Sequence, residues 1–226
     1  WHLHHLEKLL REYRVNGLLL RSSVIPHFSA SLPAGDYFGA SARYVGEMQQ
    51  ELDDAAAAAA KVFEAQCKQT GINSYESRVT TDSVISATLL GAVFADLVIV
   101  SQPAADSAKT IAGPGFVGDL LMDSRRPVLV LPNDGVLKPL PGKAMVAWNG
   151  SREAARAVTD AVPLLKKASQ VEVVVVNSDV KGAGDNELPG AELGLFLARH
   201  GVNVEVRDVV ANTSVSDAIL NEAAAS

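Results

Sequence analysis

The sequence predicts an α/β protein made of two open, parallel-sheet, Rossmann-like domains in tandem. Three observations predict it. Short apolar runs alternate with helical stretches along the chain, an order that makes the sheets parallel. The runs around Leu97 and Val128 are continuously apolar, as expected of strands covered by helices on both faces. A local motif also recurs: Thr70-Gly71-Ile72-Asn73 matches His200-Gly201-Val202-Asn203, each closing a helix and opening a strand. Both strands lead into a polar cap, Thr81-Asp82-Ser83 or Asn212-Thr213-Ser214. Self-similarity of this kind marks duplicated units.

In the first half, a helix over about residues 1–14 precedes an apolar strand at 17–20. A loop with Pro26, Pro33 and Gly35 then leads to a long helix over about 37–70 that carries an alanine run at 55–60. Such a helix would span on the order of 45–50 Å, longer than a small domain is wide, so a break near Gly46 is expected. Gly71 ends it where glycine takes a left-handed backbone at low cost. A strand at 72–79, a helix capped near Asp82 and running to 94, and a strand at 96–100 follow. A short helix at 117–124 and a strand at 128–131 close the half.

The second half begins with a strand at 143–148, the turn Asn149-Gly150-Ser151 and a helix that Ser151 caps by accepting backbone N–H bonds. Ala154, Val158, Ala161, Val162 and Leu165 form its inner stripe at helical spacing, and Pro163 is expected to bend it. A strand at 171–176, a helix at 187–200, a strand at 202–210 and a helix from about Ser214 complete the chain. The expected domains are 1–135 and 143–226, joined by a linker at 136–142. Both halves look incomplete. The first lacks a strand before its opening helix, and the second stops before counterparts of the strands near Leu97 and Val128. An unpaired apolar edge is avoided in soluble proteins, so a fragment of a longer chain is expected.

Bulk properties exclude several functions. The 226 residues are 48% hydrophobic and 20% charged, ordinary for a chain that buries a core. A net charge of −6 leaves no footprint for nucleic acid, whose phosphates require clustered Lys and Arg. The pairs Arg125–Arg126 and Lys166–Lys167 are better read as caps of helix C-termini. No apolar run is long enough to span a bilayer, and no leader pattern opens the chain, so a cytoplasmic protein is expected. Cys67 is the one cysteine, which rules out an intrachain disulfide and fits a reducing compartment. With no His or second Cys beside it in sequence, it reads as a packed thiol.

Other clusters carry little chemistry. His2 and His5 share a helical face at a spacing that suits a metal, but no carboxylate or cysteine completes a set, so no metal is expected. Glu51, Asp53 and Asp54 read as a solvated helix face. No nucleophile elbow, Walker loop or zinc pattern occurs.

The stretch from Arg126 to Val158 is the most informative. Its segment Val146-Ala147-Trp148-Asn149-Gly150-Ser151-Arg152-Glu153-Ala154-Ala155-Arg156 resembles the opening strand, turn and helix of a universal stress protein domain. Ser124-Arg125-Arg126-Pro127-Val128-Leu129-Val130-Leu131-Pro132 resembles the close of the preceding such domain, at the spacing of tandem members. The resemblance implies five-stranded parallel sheets of the adenine nucleotide alpha hydrolase-like kind. It also implies a non-catalytic, stress-response regulatory module that binds ATP or AMP in some members. Carried onto this chain, the nucleotide-binding positions are Ala147, Trp148, Asn149 and Val176. Binding members have Asp where this chain has Asn149, so a ribose contact survives more readily than a metal contact. Equally, Asn149-Gly150 makes a tight strand-to-helix turn with no ligand at all. Trp148 reads as a packing residue at the sheet's end, though an aromatic there could stack on a base.

The family's phosphate loop has Gly, two residues, Gly, nine residues, then Gly and Ser or Thr. In the first half Gly113, Gly115 and Gly118 follow the strand at 96–100, and Gly115 and Gly118 keep the first spacing, but nine residues further on the chain reaches Val128 in a strand, so the first half fails the pattern. In the second half the loop would lie beyond Ser226. Two alternatives therefore stand beside the nucleotide-binding module: a nucleotide-independent dimerising scaffold, and a nucleotide hydrolase or adenylating enzyme of similar fold. The resemblance further implies edge-to-edge pairing of closing strands, between the repeats or in a homodimer.

Overall fold

The computed structural model describes residues 20–24, 38–72, 74–79, 83–102, 115–132, 142–177 and 190–225. The chain divides into two compact units, Trp1–Leu137 and Lys138–Ser226. The expected helix at 1–14 and all of the 136–142 linker but Gly142 lie outside the described residues.

In the first unit, β1 (Leu20–Val24) runs parallel to β2 (Tyr75–Val79), from Leu20 opposite Tyr75 to Val24 opposite Val79. Of the strand expected at 17–20, Leu20 opens β1, and residues 17–19 lie outside the described residues. Between them runs α1 (Phe38–Gln69), unbroken through Gly46, contrary to expectation. One glycine costs only about 1 kcal/mol of helix propensity, and the alanine run offsets it. Ala56, Phe63, Cys67 and Thr70 are buried at spacings of one helical face, and Phe63 meets Tyr75 edge to face at 6.0 Å.

A second parallel pair joins β3 (Val98–Ser101) to β4 (Val128–Leu131). The helices α2 (Val84–Ala92) and α3 (Phe116–Asp123) pack on each other. Ser83, next to Asp82, caps α2, its Oγ accepting from Ser86 N at 3.2 Å; Asp82 is outside the described residues. Arg126 does serve a helix C-terminus, but that of α2: its Nη2 donates to Val93 O at 3.1 Å.

The second unit is a three-stranded parallel sheet in the order β5 (Lys143–Ala147), β6 (Gln170–Val176), β7 (Val204–Val209). One face carries α4 (Arg152–Leu165) and α5 (Ala191–Arg199). There Val146, Val171 and Val173 from the strands meet Val158, Val162 and Leu165 from α4 and Leu193 and Leu197 from α5. Strand alternation turns Glu172 and Val174 to the opposite face, where α6 (Val215–Ala225) packs on β6. Arg207 holds that face together, bonding Glu172 Oε1 at 2.7 Å and Glu222 Oε2 of α6 at 2.8 Å.

The two helix ends singled out by the repeat share one geometry. Gly71 and Gly201 both have φ in the left-handed region, 72° and 80°. Ile72 N bonds Cys67 O at 2.9 Å, and Val202 N bonds Leu197 O at 3.1 Å, the six-to-one closure of a Schellman cap. Cys67 and Leu197 therefore occupy the same place in their caps, and both are fully buried.

Candidate functional site at the carboxyl rim of the second sheet

In an open parallel sheet the carboxyl ends of the strands face one rim, where ligands bind in α/β folds. Here that rim begins with Ala147, Trp148 and Asn149 leaving β5. The register pairs Ala147 with Val174, so the same step carried on sets Asn149 level with Val176. The four sequence-predicted positions thus come together at the ends of two neighbouring strands. Their environments differ. Ala147 and Asn149 are exposed and Val176 is half-buried, while Trp148 packs against the α4/α5 core cluster.

The turn that follows β5 is built locally. Asn149 Oδ1 accepts from Ser151 N at 3.0 Å, an Asx turn, and Ser151 Oγ accepts from Ala154 N at 3.1 Å to cap α4. Gly150 sits at φ 73°, which explains the glycine, and a Cβ there would meet no atom of the described residues within 4 Å. The bend is therefore open. Asn149 keeps its amide N–H groups and one oxygen lone pair for a ligand.

The rim is also asymmetric. Among the described residues, the last backbone bond joining the exit of β5 to β6 is Trp148 N to Val174 O, at 2.9 Å. The ladder between β6 and β7 runs further: Asn177 N bonds Val209 O at 2.9 Å. Asn177 then exchanges two side-chain bonds with the backbone of Ala211, Nδ2 donating at 3.1 Å and Oδ1 accepting at 2.8 Å. The strands part between Asn149 and Val176 and stay closed on the other side. Sequence reasoning passed over Asn177. Its signal is an asparagine after four valines, a residue that tolerates the left-handed φ of 52° found there.

The first half's glycine loop fits phosphate poorly. Gly113 is outside the described residues, Gly115 is the N-cap of α3 and Gly118 lies inside that helix. Asp119 Oδ2 lies 3.5 Å from where a Gly115 Cβ would stand, so a carboxylate already occupies the helix N-terminus. Val128, where the pattern needs glycine, is in β4.

Of the other candidates, His2, His4 and His5 lie outside the described residues, and among the described residues no three His, Cys, Asp or Glu are placed to hold a metal. Asp54 is exposed and accepts from Gln50 Nε2 at 3.1 Å. His200 ends α5, its Nδ1 2.9 Å from Phe196 O. A groove of about 420 Å³ between α5 and β7, lined by Ala191, Gly194, Leu195 and Ala198 with Val204, Val206 and Asp208, does not include the rim residues.

Cys67 is 1% exposed, and burial, with Glu64 nearby, raises its thiol pKa. Its alkylation by iodoacetamide is expected to be negligible in the native protein at pH 8 and complete in 6 M guanidinium. Because the folded pKa lies above the unfolded one, ionisation favours the unfolded chain at high pH. Stability should fall as pH rises above the thiol's ordinary range, and a Cys67→Ser variant should lose that component. Rapid native alkylation would refute the buried assignment.

A scan against known family models finds no match, and a search of curated proteins finds none. Among solved structures, the chain is similar to a universal stress protein from Archaeoglobus fulgidus DSM 4304, with a TM-score of 0.70 and 18% sequence identity. The similarity covers 99% of this chain and 76% of that one. No helix among the described residues is long and apolar enough to cross a membrane. At that identity the likeness shows the fold: a mixed α/β chain with parallel sheets, of universal-stress-protein type.

Proposed function

We propose that this chain is a tandem universal stress protein, a non-catalytic stress-response regulatory module that binds an adenine nucleotide, AMP or ATP, in its second domain. The tandem reading rests on the shared cap geometry at Gly71 and Gly201 and on parallel strands in both units. The nucleotide reading rests on one observation above all: the parting of β5 and β6 beside an open Asn-Gly-Ser bend. A nucleoside fits that chemistry. Asn149 offers amide donors and a lone pair to a ribose hydroxyl, Val176 and Ala147 supply apolar wall, and Trp148 fixes the strand end from the core side. The rim's Asn149 and Ser151 offer an amide and a hydroxyl, suited to binding and orienting rather than to moving protons at neutral pH. Nothing here calls for a bound metal. The module is read as cytoplasmic.

The scaffold reading has one observation in its favour: Asn149 Oδ1 is already engaged by Ser151 N, as a ligand-free turn requires. On that reading, the repeats or two copies pair edge to edge with no nucleotide.

Titration with AMP and ATP separates the two. A ligand at one hundred times its Kd stabilises the folded state by about 2.7 kcal/mol, a clear rise in Tm. Asn149→Ala is expected to weaken AMP binding about five- to tenfold, the worth of a hydrogen bond or two. No rise in Tm at millimolar AMP or ATP would refute the nucleotide reading and leave the scaffold, whose mass by sedimentation would then be nucleotide-independent.

A further inference from the structure

The pairing depth at the rim carries a further step, which rests on the nucleotide reading above. We propose that Asn177 is the positioning residue of the nucleoside cleft: its bonds to Ala211 hold the β6 wall in place while β5 turns away.

Among the described residues, β6 past Val174 has a backbone partner on one side only. Toward β5 the ladder closes with Trp148 N to Val174 O, and beyond it the β5 chain bends into the Asx turn at Asn149. Val176 therefore stands at a strand end that β5 no longer supports. Support comes from the far side. Asn177 N continues the ladder to Val209 O, and the reciprocal side-chain pair with Ala211 adds two bonds, at 3.1 and 2.8 Å. A planar amide that both donates to and accepts from the backbone of one residue fixes its own plane and the two peptides flanking that residue together. Asn177 is also the one non-glycine residue with positive φ among the described residues.

Asparagine is suited to this place in two ways. It visits the left-handed region more readily than other side chains, and its amide imitates a peptide. Glycine would keep the conformation and lose the link. Aspartate would keep the acceptor for Ala211 N and lose the donor to Ala211 O. The two variants therefore grade the link without demanding a new backbone. Among the described residues Asn177 bonds only to backbone, and its effect on a ligand is taken to run through Val176 rather than through contact.

The test uses the whole chain and AMP, measured by calorimetric titration and by Trp148 fluorescence in a Trp1→Phe background. Asn177→Gly is expected to raise the Kd for AMP about five- to tenfold, with Asn177→Asp in between, while circular dichroism stays native. In the absence of AMP, exchange of the Ala211 amide should quicken in Asn177→Gly, while amides in α4 keep their protection. A merely structural role would lower Tm and leave the Kd unchanged. If wild type binds AMP and Asn177→Gly binds within twofold of it, the positioning role is overturned and the nucleotide reading stands. Should Asn177→Gly fail to fold, Asn177→Asp decides by the same criterion. If wild type binds no AMP, the nucleotide reading fails and this inference with it.

Discussion

Leu197→Ala is expected to destabilise the second unit by about 2–5 kcal/mol, a large share of the stability of an ordinary domain. Leu197 is 0% exposed and sits where the α4 and α5 sides of the core cluster meet the buried valines of β6. Removing its branched end leaves a cavity inside the cluster that also contains Val171, Val173 and Leu193. The hydrogen bonds at that point belong to the backbone: Leu197 O accepts from His200 N at 3.0 Å and from Val202 N at 3.1 Å. They survive the substitution, so the loss is one of apolar packing alone. Leu197→Met, which nearly keeps volume, should cost less than about 1.5 kcal/mol. Urea unfolding followed by Trp148 fluorescence, again without Trp1, reads the unit that contains the mutation, because Trp148 packs on the same cluster. A loss under 1 kcal/mol would show that this core is not tightly packed.

The parts of the second unit that could be read from sequence are those fixed by local chemistry. The stripe from Ala154 to Leu165 has helical spacing because one side of α4 faces the sheet, and Val158, Val162 and Leu165 are buried there. Ser151 caps the helix as its residue type and place predict. Gly71 and Gly201 adopt left-handed φ because a helix must end before a strand begins. The break expected at Gly46 failed for a different reason. It came from the width of a small domain, whereas helix continuity is decided by propensity, residue by residue. What remained illegible depends on contacts between distant segments. Nothing in Arg126 names Val93, 33 residues away, as its acceptor. Nothing in Asn177 reveals that β6 and β7 stay paired beyond the point where β5 leaves. The candidate site shows the same division. Asn149, Gly150 and Ser151 were legible as a turn, and Ala147 and Val176 as strand ends. Which side of Val176 is open is a property of pairing depth, and one-dimensional pattern does not carry it.

Gly194 is the second position where a single change should have a large effect, and it too was invisible in sequence. In the middle of α5 a glycine costs about 1 kcal/mol relative to alanine, so propensity alone argues against it. The structure supplies the reason: a Cβ at Gly194 would stand 2.7 Å from Val206 Cγ2 on β7, closer than two carbons can approach. Helix and strand touch backbone to side chain here. At Gly190, one turn earlier and at φ 81°, a Cβ would likewise stand 3.0 Å from Val175 Cγ2. No rotamer moves a Cβ, so Gly194→Leu must push α5 off the sheet or turn Val206 out of its preferred χ1. A loss above about 3 kcal/mol is expected, at the upper end of the cost of overpacking. Gly194→Ala should fall between, its propensity gain offsetting part of the clash. Shortening the opposing side chain gives the decisive comparison. Val206→Ala alone removes packing and destabilises, yet in the Gly194→Ala background it also relieves the clash, so the double variant should be more stable than the two single losses predict. A coupling of about 1 kcal/mol or more in that direction, measured by urea unfolding, is what the 2.7 Å approach requires. Strict additivity, or a Gly194→Leu variant as stable as the parent, would mean that α5 does not lie against β7 at Val206.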